Sequence, residues 1–324
     1  MIIVRVMGGL GNQMQQYALC QKLKKLGREA KLDVSWFEKS SQKGLLAPRK
    51  LELLRFAGLP MDVCTRREAE HFTGNGSVWS KIRRRAFGNP SVFTESQMYH
   101  PEIFDMDERY LEGYFACTRY YDDILPELKE LFRFPEAGDG EVRKRNADVL
   151  AELGDAAEFR AAMHLRRGDY LDEANREILG GICTPAYYAG AVRILEECAQ
   201  REHKPLHLYV FSDDPDYVRC QLEAAGSGDT APERKMFGTR GEKVTLCDFN
   251  HGEDNLLDMQ LMAACRGIIT ANSTFSFWGG RLNLSPDAVK IRPLYHRNNQ
   301  VPDPAILHGL WRGWTLVDRN GQKV

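Results

Sequence analysis

The chain has 324 residues, of which 43% are hydrophobic and 27% charged; this is enough for two domains with real cores and excludes disorder. Its 45 acidic residues nearly cancel its 44 basic ones, leaving a net charge of -1, so nucleic-acid binding through bulk positive charge is ruled out. No apolar run approaches the roughly 18–20 residues that span a bilayer.

The opening Met1-Ile2-Ile3-Val4-Arg5-Val6 has neither a charged leader nor a cleavage site, and reads as a first strand rather than a signal peptide. A glycine-rich turn, Gly8-Gly9-Leu10-Gly11, leads into a helix from about Asn12 to Gly27, with Tyr17, Leu19, Leu23 and Leu26 as its apolar stripe and Gly27 as its C-cap. A second strand at Ala30–Val34 completes a parallel βαβ unit. Between about 40 and 100 the pattern is mixed and carries a basic run, Lys81-Ile82-Arg83-Arg84-Arg85. That run reads as a solvated face, with peripheral contact to an anionic membrane as the alternative. Pro and Gly gather at Phe134–Gly140, where the domain boundary is placed.

Beyond it the α/β alternation is clean. A helix at about 141–153 precedes a strand at Phe159–Leu165; Thr184-Pro185 opens a helix; a strand covers Leu206–Phe211 and a helix Asp216–Ala225. A helix at about 254–266, a strand at 267–271 and a helix start at Asn272–Phe277 follow. The eight cysteines (20, 64, 117, 183, 198, 220, 247 and 265) never form CxxC, and are read as reduced and packed with no metal. The three N-x-S/T matches, at Asn75, Asn272 and Asn283, are read as chance.

In open parallel sheets ligands bind at the carboxyl ends of strands, and three polar clusters fall there. His164-Leu165-Arg166-Arg167-Gly168-Asp169 offers two adjacent guanidiniums to a diphosphate, or a surface pair bridging to nearby acids. Ser212-Asp213-Asp214-Pro215-Asp216 offers a carboxylate to a base or ribose, a DxD metal site at Asp214 and Asp216, or a plain helix N-cap. Asn272-Ser273-Thr274-Phe275-Ser276 sets small polar side chains and free backbone N–H groups at a helix start, an anion site. Gly9-Leu10-Gly11-Asn12-Gln13-Met14 fits G-x-G-x-x-G save for Met14, and Asp33 stands about where a ribose-binding acid belongs, so a dinucleotide reading competes for the first half.

Taken together, Gly8-Gly9-Leu10-Gly11-Asn12-Gln13-Met14, Gln16-Tyr17-Ala18, Leu32-Asp33, Gly113-Tyr114-Phe115, the His164–Tyr170 stretch, Phe211-Ser212-Asp213-Asp214 and Ile268–Gly279 resemble the α-1,2-fucosyltransferase family over nearly the whole chain. Phe115 and Phe277 depart from a common tryptophan and Gln15 from a common phenylalanine. The resemblance implies an α/β GT-B architecture, two Rossmann-like domains facing a cleft: an acceptor domain at 1–137, a GDP-fucose domain at 138–293, and a segment at 294–324 crossing back to the first domain. It moves the Gly8–Asn12 turn from a cofactor site to the acceptor side, with Gly9, Gly11, Asn12, Gln13 and Asp33 as acceptor residues.

The implied reaction is inverting transfer of L-fucose from GDP-β-L-fucose to the 2-hydroxyl of a terminal β-galactoside, in a cytoplasmic bacterial enzyme serving polysaccharide or O-antigen-type synthesis on an acceptor that is at times lipid-linked. Neither cofactor nor metal is expected, and no nucleic-acid partner. Charge on the departing diphosphate needs fixed cationic donors, and these would be Arg166 and the Asn272–Ser276 turn (Asn272, Ser273, Thr274, Phe275, Ser276). Arg167 would share the diphosphate or hold Asp169; His164 and Asp214 would serve the nucleoside pocket; Asp258 would brace the Asn272 turn. Asp169 and Asp33 are the candidates for the catalytic base. The rival readings are a metal-dependent glycosyltransferase using Asp214 and Asp216, a non-catalytic GDP- or glycan-binding module, and a dinucleotide enzyme.

Overall fold

A computed structural model describes the chain except for residues 39–48, 75–90, 97, 137–139, 227–235, 238–241, 284 and 300. The basic run at Lys81–Arg85, the N-x-S/T matches at Asn75 and Asn283 and part of the expected domain boundary involve residues outside the described ones. The chain divides into two compact units, Met1–Arg133 and Phe134–Val324. Among the described residues no helix is long and apolar enough to cross a membrane.

The first unit contains β1 (Ile2–Arg5), α1 (Leu10–Lys25), β2 (Ala30–Asp33), α2 (Arg66–Thr73), β3 (Val92–Thr94) and β4 (Arg109–Glu112). Its four strands run in the order β2-β1-β4-β3, all parallel, and Val63 extends the β2 edge through a parallel bridge to Leu32. The order in which strands are added reverses between β1 and β4, which makes that gap the topological switch point. Leu10, Met14, Tyr17, Ala18 and Leu23 bury α1, yet so do Gln13, Gln15 and Gln16. Leu26, expected in the apolar stripe, is 45% exposed because the helix ends before it. Gly27 then turns the chain with φ +78, its N–H bonding Lys24 O at 2.9 Å, a conformation that suits glycine.

The second unit contains α3 (Gly140–Gly154), β5 (Phe159–Leu165), α4 (Glu173–Leu179), α5 (Pro185–Arg201), β6 (Leu206–Ser212), α6 (Pro215–Gly226), β7 (Lys243–Cys247), α7 (Leu256–Ala264), β8 (Gly267–Ile269), α8 (Thr274–Arg281), β9 (Val289–Pro293), α9 (Pro304–Leu310) and β10 (Thr315–Val317). All six strands are parallel, in the order β10-β9-β8-β5-β6-β7. Counted from β5 this is the 3-2-1-4-5-6 order of a Rossmann sheet, with its switch point between β5 and β8. β5 is buried at all seven positions, as a central parallel strand covered on both faces must be. Thr184 caps α5 as its sequence suggested, accepting from Tyr187 N at 3.1 Å with Pro185 following.

The C-terminal segment completes the second sheet. Residues 294–324 belong to the second unit, where β10 pairs with β9 in register Thr315↔Ile291 and supplies the sixth strand of the sheet. The physical reason is that β9 would otherwise expose a row of unpaired backbone groups beside the buried Ile291 and Arg292. The tail after β10 then lies on α5: Arg193 Nη2 donates to Gly321 O at 3.3 Å, and Thr184 Oγ1 bonds Arg319 O.

That closure depends on two glycines. A Cβ at Gly190 would lie 2.2 Å from Gly321 O, whereas a Cβ at Gly309 on α9 would meet nothing within 4 Å. Gly190→Ala should therefore destabilise the protein by about 1–3 kcal/mol or more, while Gly309→Ala should be neutral or stabilising by up to about 1 kcal/mol. Thermal melts of the two variants side by side check this, and equal melting temperatures would refute the packing argument.

Candidate functional site

At the switch point of the second unit, β5 ends on Leu165 and delivers Arg166 and Arg167 to the sheet's carboxyl edge. Arg166 is held on two sides: Nε and Nη2 reach Asp169 Oδ1 at 3.1 and 2.6 Å, and Nη1 reaches Asp213 Oδ2 at 3.1 Å. Burial works against its charge, but Asp213 and Asp169 more than offset this and keep the guanidinium above its ordinary pKa. Arg167 pairs through Nε with Asp214 Oδ2 at 2.9 Å and lies 3.5 Å from the centre of the Tyr217 ring. Of the two roles expected for Arg167, holding Asp169 falls to Arg166, and Arg167 holds Asp214. The reason is register: β5 pairs with β6 as Leu165↔Ser212, which sets the β6 carboxylates beside the arginines.

Asp213, passed over in the sequence, is the hub. It also accepts Arg167 N at 2.9 Å, and a Cβ on Gly168 would stand 2.3 Å from its Oδ2. Only a residue without a side chain at 168 permits that approach. The adjacent acids of Ser212-Asp213-Asp214 were the available signal, since alternation on a strand end sends neighbours in different directions. Asp214 divides its oxygens, Oδ2 to Arg167 and Oδ1 to Tyr217 N at 3.1 Å. Despite burial, those two donors keep its carboxyl below the usual range. Asp216 points away, 90% exposed and paired with Arg219 at 2.5 Å. Among the described residues no group of three or more His, Cys, Asp or Glu is placed to hold a metal ion.

Across the switch point, Asn272 is spent on fixing its own turn. Its Nδ2 donates to Leu179 O at 3.1 Å and His296 O at 3.2 Å, and its carbonyl accepts Tyr170 OH at 3.0 Å. Ser276 is buried and donates back to Ser273 O at 3.1 Å, so its hydroxyl serves the helix. Ser273 is the N-cap of α8 and makes no side-chain cap bond, which leaves the first-turn N–H groups from Thr274 and Phe275 onward as the donors of this end. His164 is buried behind the arginines, its ring 5.9 Å from Phe275. Burial, then Arg166, push its imidazole down to about 3, so it is neutral at working pH, and its Nδ1 has no partner among the described residues. Arg166, Arg167, Tyr170, Tyr188, Tyr217 and Asn272 border a cavity of about 240 Å³.

The first unit builds its own cluster at its switch point. Gly8 takes φ +81, and a Cβ there would meet Asn12 Nδ2 at 2.8 Å. Gln16 joins the two turns that flank the switch, accepting Met7 N at 2.9 Å and donating to Gly113 O at 2.8 Å. Gln13, expected on the acceptor side, is fully buried and latches Gly8 O, Lys50 O, Glu52 N and Leu53 N. Gly11 is likewise buried in α1, while Gly9, its N-cap, and Asn12 keep partial exposure. Asp33 ends β2, accepts Tyr110 OH at 2.5 Å and Ser35 N at 2.8 Å, and borders a cavity of about 1160 Å³. Glu95, also unforeseen, accepts Tyr114 N at 2.9 Å and Phe115 N at 2.8 Å, holding buried Phe115 at φ 48. Asp33 and Asp169 therefore sit in different units, each at a carboxyl edge.

Asp258 does not brace the Asn272 turn. It accepts Asn250 Nδ2 at 2.8 Å, and Asn250 is paired with Asn146 of α3 at 2.7 and 3.0 Å, so the carboxyl ties α7 to α3. Burial raises its pKa to about 7 even though Asn250 opposes the shift. The folded state thus binds this proton more tightly than an unfolded chain, whose carboxyl titrates near ~3.9. The stabilisation is complete below that value and lost as pH rises towards about 7. Asp258→Asn should melt higher than wild type at pH 8, by on the order of 1–3 kcal/mol, with the gain vanishing near pH ~4. A pH-independent difference in melting temperature would contradict this.

The model of "Glycosyl transferase family 11" matches residues 108–312. An Escherichia coli alpha-1,2-colitosyltransferase is 26% identical over 297 residues, covering 90% of this chain and 91% of that protein. The Escherichia coli O-antigen biosynthesis glycosyltransferase WbnK is 27% identical over 308 residues, covering 88% and 91%. The solved structure of E. coli ADP-heptose lps heptosyltransferase II aligns with 98% of this chain and 89% of its own at 14% identity and a TM-score of 0.37. With more than half of the chain inside the family model, the protein belongs to glycosyl transferase family 11 and is a glycosyltransferase.

Proposed function

We propose that this enzyme transfers L-fucose, with inversion, from GDP-β-L-fucose to the 2-hydroxyl of a terminal β-galactoside, in cytoplasmic polysaccharide or O-antigen-type synthesis, touching the membrane at most peripherally where the acceptor is lipid-linked. The observation that carries the donor half is that Arg166 and Arg167 follow β5 and α8 opens after β8, the two strands that flank the switch point of a Rossmann sheet. The names of the two E. coli relatives support the α-1,2 linkage and the O-antigen setting, and the colitosyltransferase makes colitose the competing sugar.

In this reading the galactose 2-hydroxyl attacks C1 of fucose on the face opposite the diphosphate. The C1–O bond breaks, its electron pair passes to the β-phosphate oxygen, and the hydroxyl proton leaves to a base. Arg166 and the first-turn N–H groups of α8 stabilise the charge gathering on the leaving group. Arg167 is oriented for the same diphosphate by Asp214 and Tyr217. Neutral His164 adds no charge and packs behind the arginines with Phe275. Asp169 and Asp33 remain the two candidates for the base.

Arg166→Ala should lower kcat/KM by roughly 30- to several-thousand-fold, the worth of a charge-assisted phosphate contact, and Arg166→Lys should also be poor because one ammonium cannot replace a fork. An Arg166→Ala enzyme that keeps half of wild-type kcat/KM would end this role. In the same assay the true base is the one of Asp169→Asn and Asp33→Asn that loses kcat while still binding GDP; if neither does, proton loss runs to water or phosphate.

Because guanidinium and helix N–H groups carry the charge, EDTA should leave most of the activity intact, and NMR of the product from lactose should show fucose on the galactose 2-hydroxyl. Activity abolished by EDTA and restored by Mn²⁺ or Mg²⁺ would shift the chemistry to Asp214 and Asp216. Attachment at another hydroxyl would overturn the acceptor reading, and preference for colitose over fucose the donor reading.

A further inference from the structure

The roughly 1160 Å³ cavity of the first unit is larger than a monosaccharide needs, since whole drug-sized ligands occupy pockets of ~300–1,000 Å³. Its floor is one face of the sheet. The register Arg5↔Asp33 and Ile3↔Tyr110, with the two-residue period of a strand, sets Arg5, Asp33, Tyr110 and Glu112 on that face. Towards the amino ends, Ile3, Tyr110 and Phe72 form an ordinary apolar cluster beneath α2. Beyond Tyr110 the same face turns polar, where a covered sheet would continue in apolar side chains.

The polar groups are paired with one another: Arg5 Nη1 bonds Glu112 Oε1 at 2.6 Å, and Tyr110 OH bonds Asp33 Oδ2 at 2.5 Å. Arg5 and Glu112 nevertheless keep 32% and 29% of their side chains exposed, at the cavity wall. A guanidinium has five N–H donors and a carboxylate about four lone-pair sites, so this pair can both donate to and accept from neighbouring hydroxyls.

The sign of the lining decides between ligand classes. Among the described residues, the charged lining consists of Arg5 and Arg66 against Asp33, Glu38, Glu70 and Glu112, an excess of two carboxylates. A phosphate, nucleotide or uronate would be repelled, whereas a neutral polyhydroxyl ligand would find donors, acceptors and the ring of Phe37. The second unit's cavity, bordered by Arg166 and Arg167, has the opposite bias.

We infer that this cavity binds a neutral oligosaccharide, the sugars of the acceptor that precede its terminal galactose, with Arg5 and Glu112 as specificity-determining residues. The assignment deepens the acceptor reading above and rests on it.

The test uses the full chain, with lactose and the galactose-terminated tetrasaccharide lacto-N-tetraose as probes. Glu112→Ala and Arg5→Ala should raise the KM for the tetrasaccharide about fivefold or more, raise that for lactose less, and change the KM for GDP-fucose less than about twofold. Saturation-transfer NMR with the tetrasaccharide and no donor should show contacts from the inner sugars in wild type and lose them in the variants. Should an alanine variant melt early, Glu112→Gln and Arg5→Lys keep the pairing geometry and carry the measurement. Unchanged tetrasaccharide KM in folded variants, absent inner-sugar contacts, or tighter binding of a uronate-bearing glycan would each overturn the assignment. NMR needs no turnover, so a chain that binds the glycan through these residues yet transfers no fucose would sink the donor reading and leave the cavity standing.

Discussion

Two guanidiniums on consecutive residues at the end of one strand are each held by carboxylates, and much of the second unit's carboxyl edge is organised around those ion pairs. Asp169 and Asp213 hold Arg166 at 2.6 and 3.1 Å, and Asp214 holds Arg167 at 2.9 Å. In the proposed reading, a diphosphate would enter by taking over guanidinium edges that carboxylates hold in the free protein. Such an exchange favours a ligand of high charge and forked geometry over a single weak anion.

That requirement reaches back into the fold. Asp213 and Asp214 sit opposite Arg166 and Arg167 because β6 pairs with β5 in parallel with Leu165 against Ser212. Asp213 comes close enough because residue 168 has no Cβ. The Asn272 turn arrives from the other side because β8 pairs with β5 across the switch point. A central strand buried at every position cannot slip by one residue without turning its side chains to the wrong face, so the register that orders the charges is the one the core enforces.

The parts of this arrangement that could be read from the sequence are those that local chemistry dictates. The β5 run, the Thr184-Pro185 cap and the turn at Gly27 follow from burial, capping and φ requirements within a few residues, and the structure places them accordingly. The clusters at Arg166, Asp214 and Asn272 were also visible, since polar runs after apolar strands stand out. Long-range pairing was not. The adjacent acids mark Asp213 as a polar strand end but not that it meets Arg166 at 3.1 Å, and Gln13 resembles a cleft residue until four backbone groups are seen to claim it. The last strand was illegible for the same reason: Thr315–Val317 is too short to signal a partner, and the open edge of β9 explains its place.

The same contrast separates the two cavities, and there it bears on chemistry. Each unit collects its polar groups at the carboxyl edge of a parallel sheet, because backbone and loops there are free to carry them. In the second unit the edge concentrates guanidiniums and helix N–H groups beside aromatic walls; in the first it concentrates carboxylates around a wider space. One fold repeated thus produces two electrostatic characters, decided by a few positions such as Arg166 in one sheet and Glu112 in the other. A transferase needs that division, since its donor is a highly charged nucleotide sugar and its acceptor, in the reading favoured here, is neutral. Were both edges basic, the nucleotide would bind at either and inhibit by occupying the acceptor's place. An acidic lining around Asp33 keeps that place for a ligand made of hydroxyl groups.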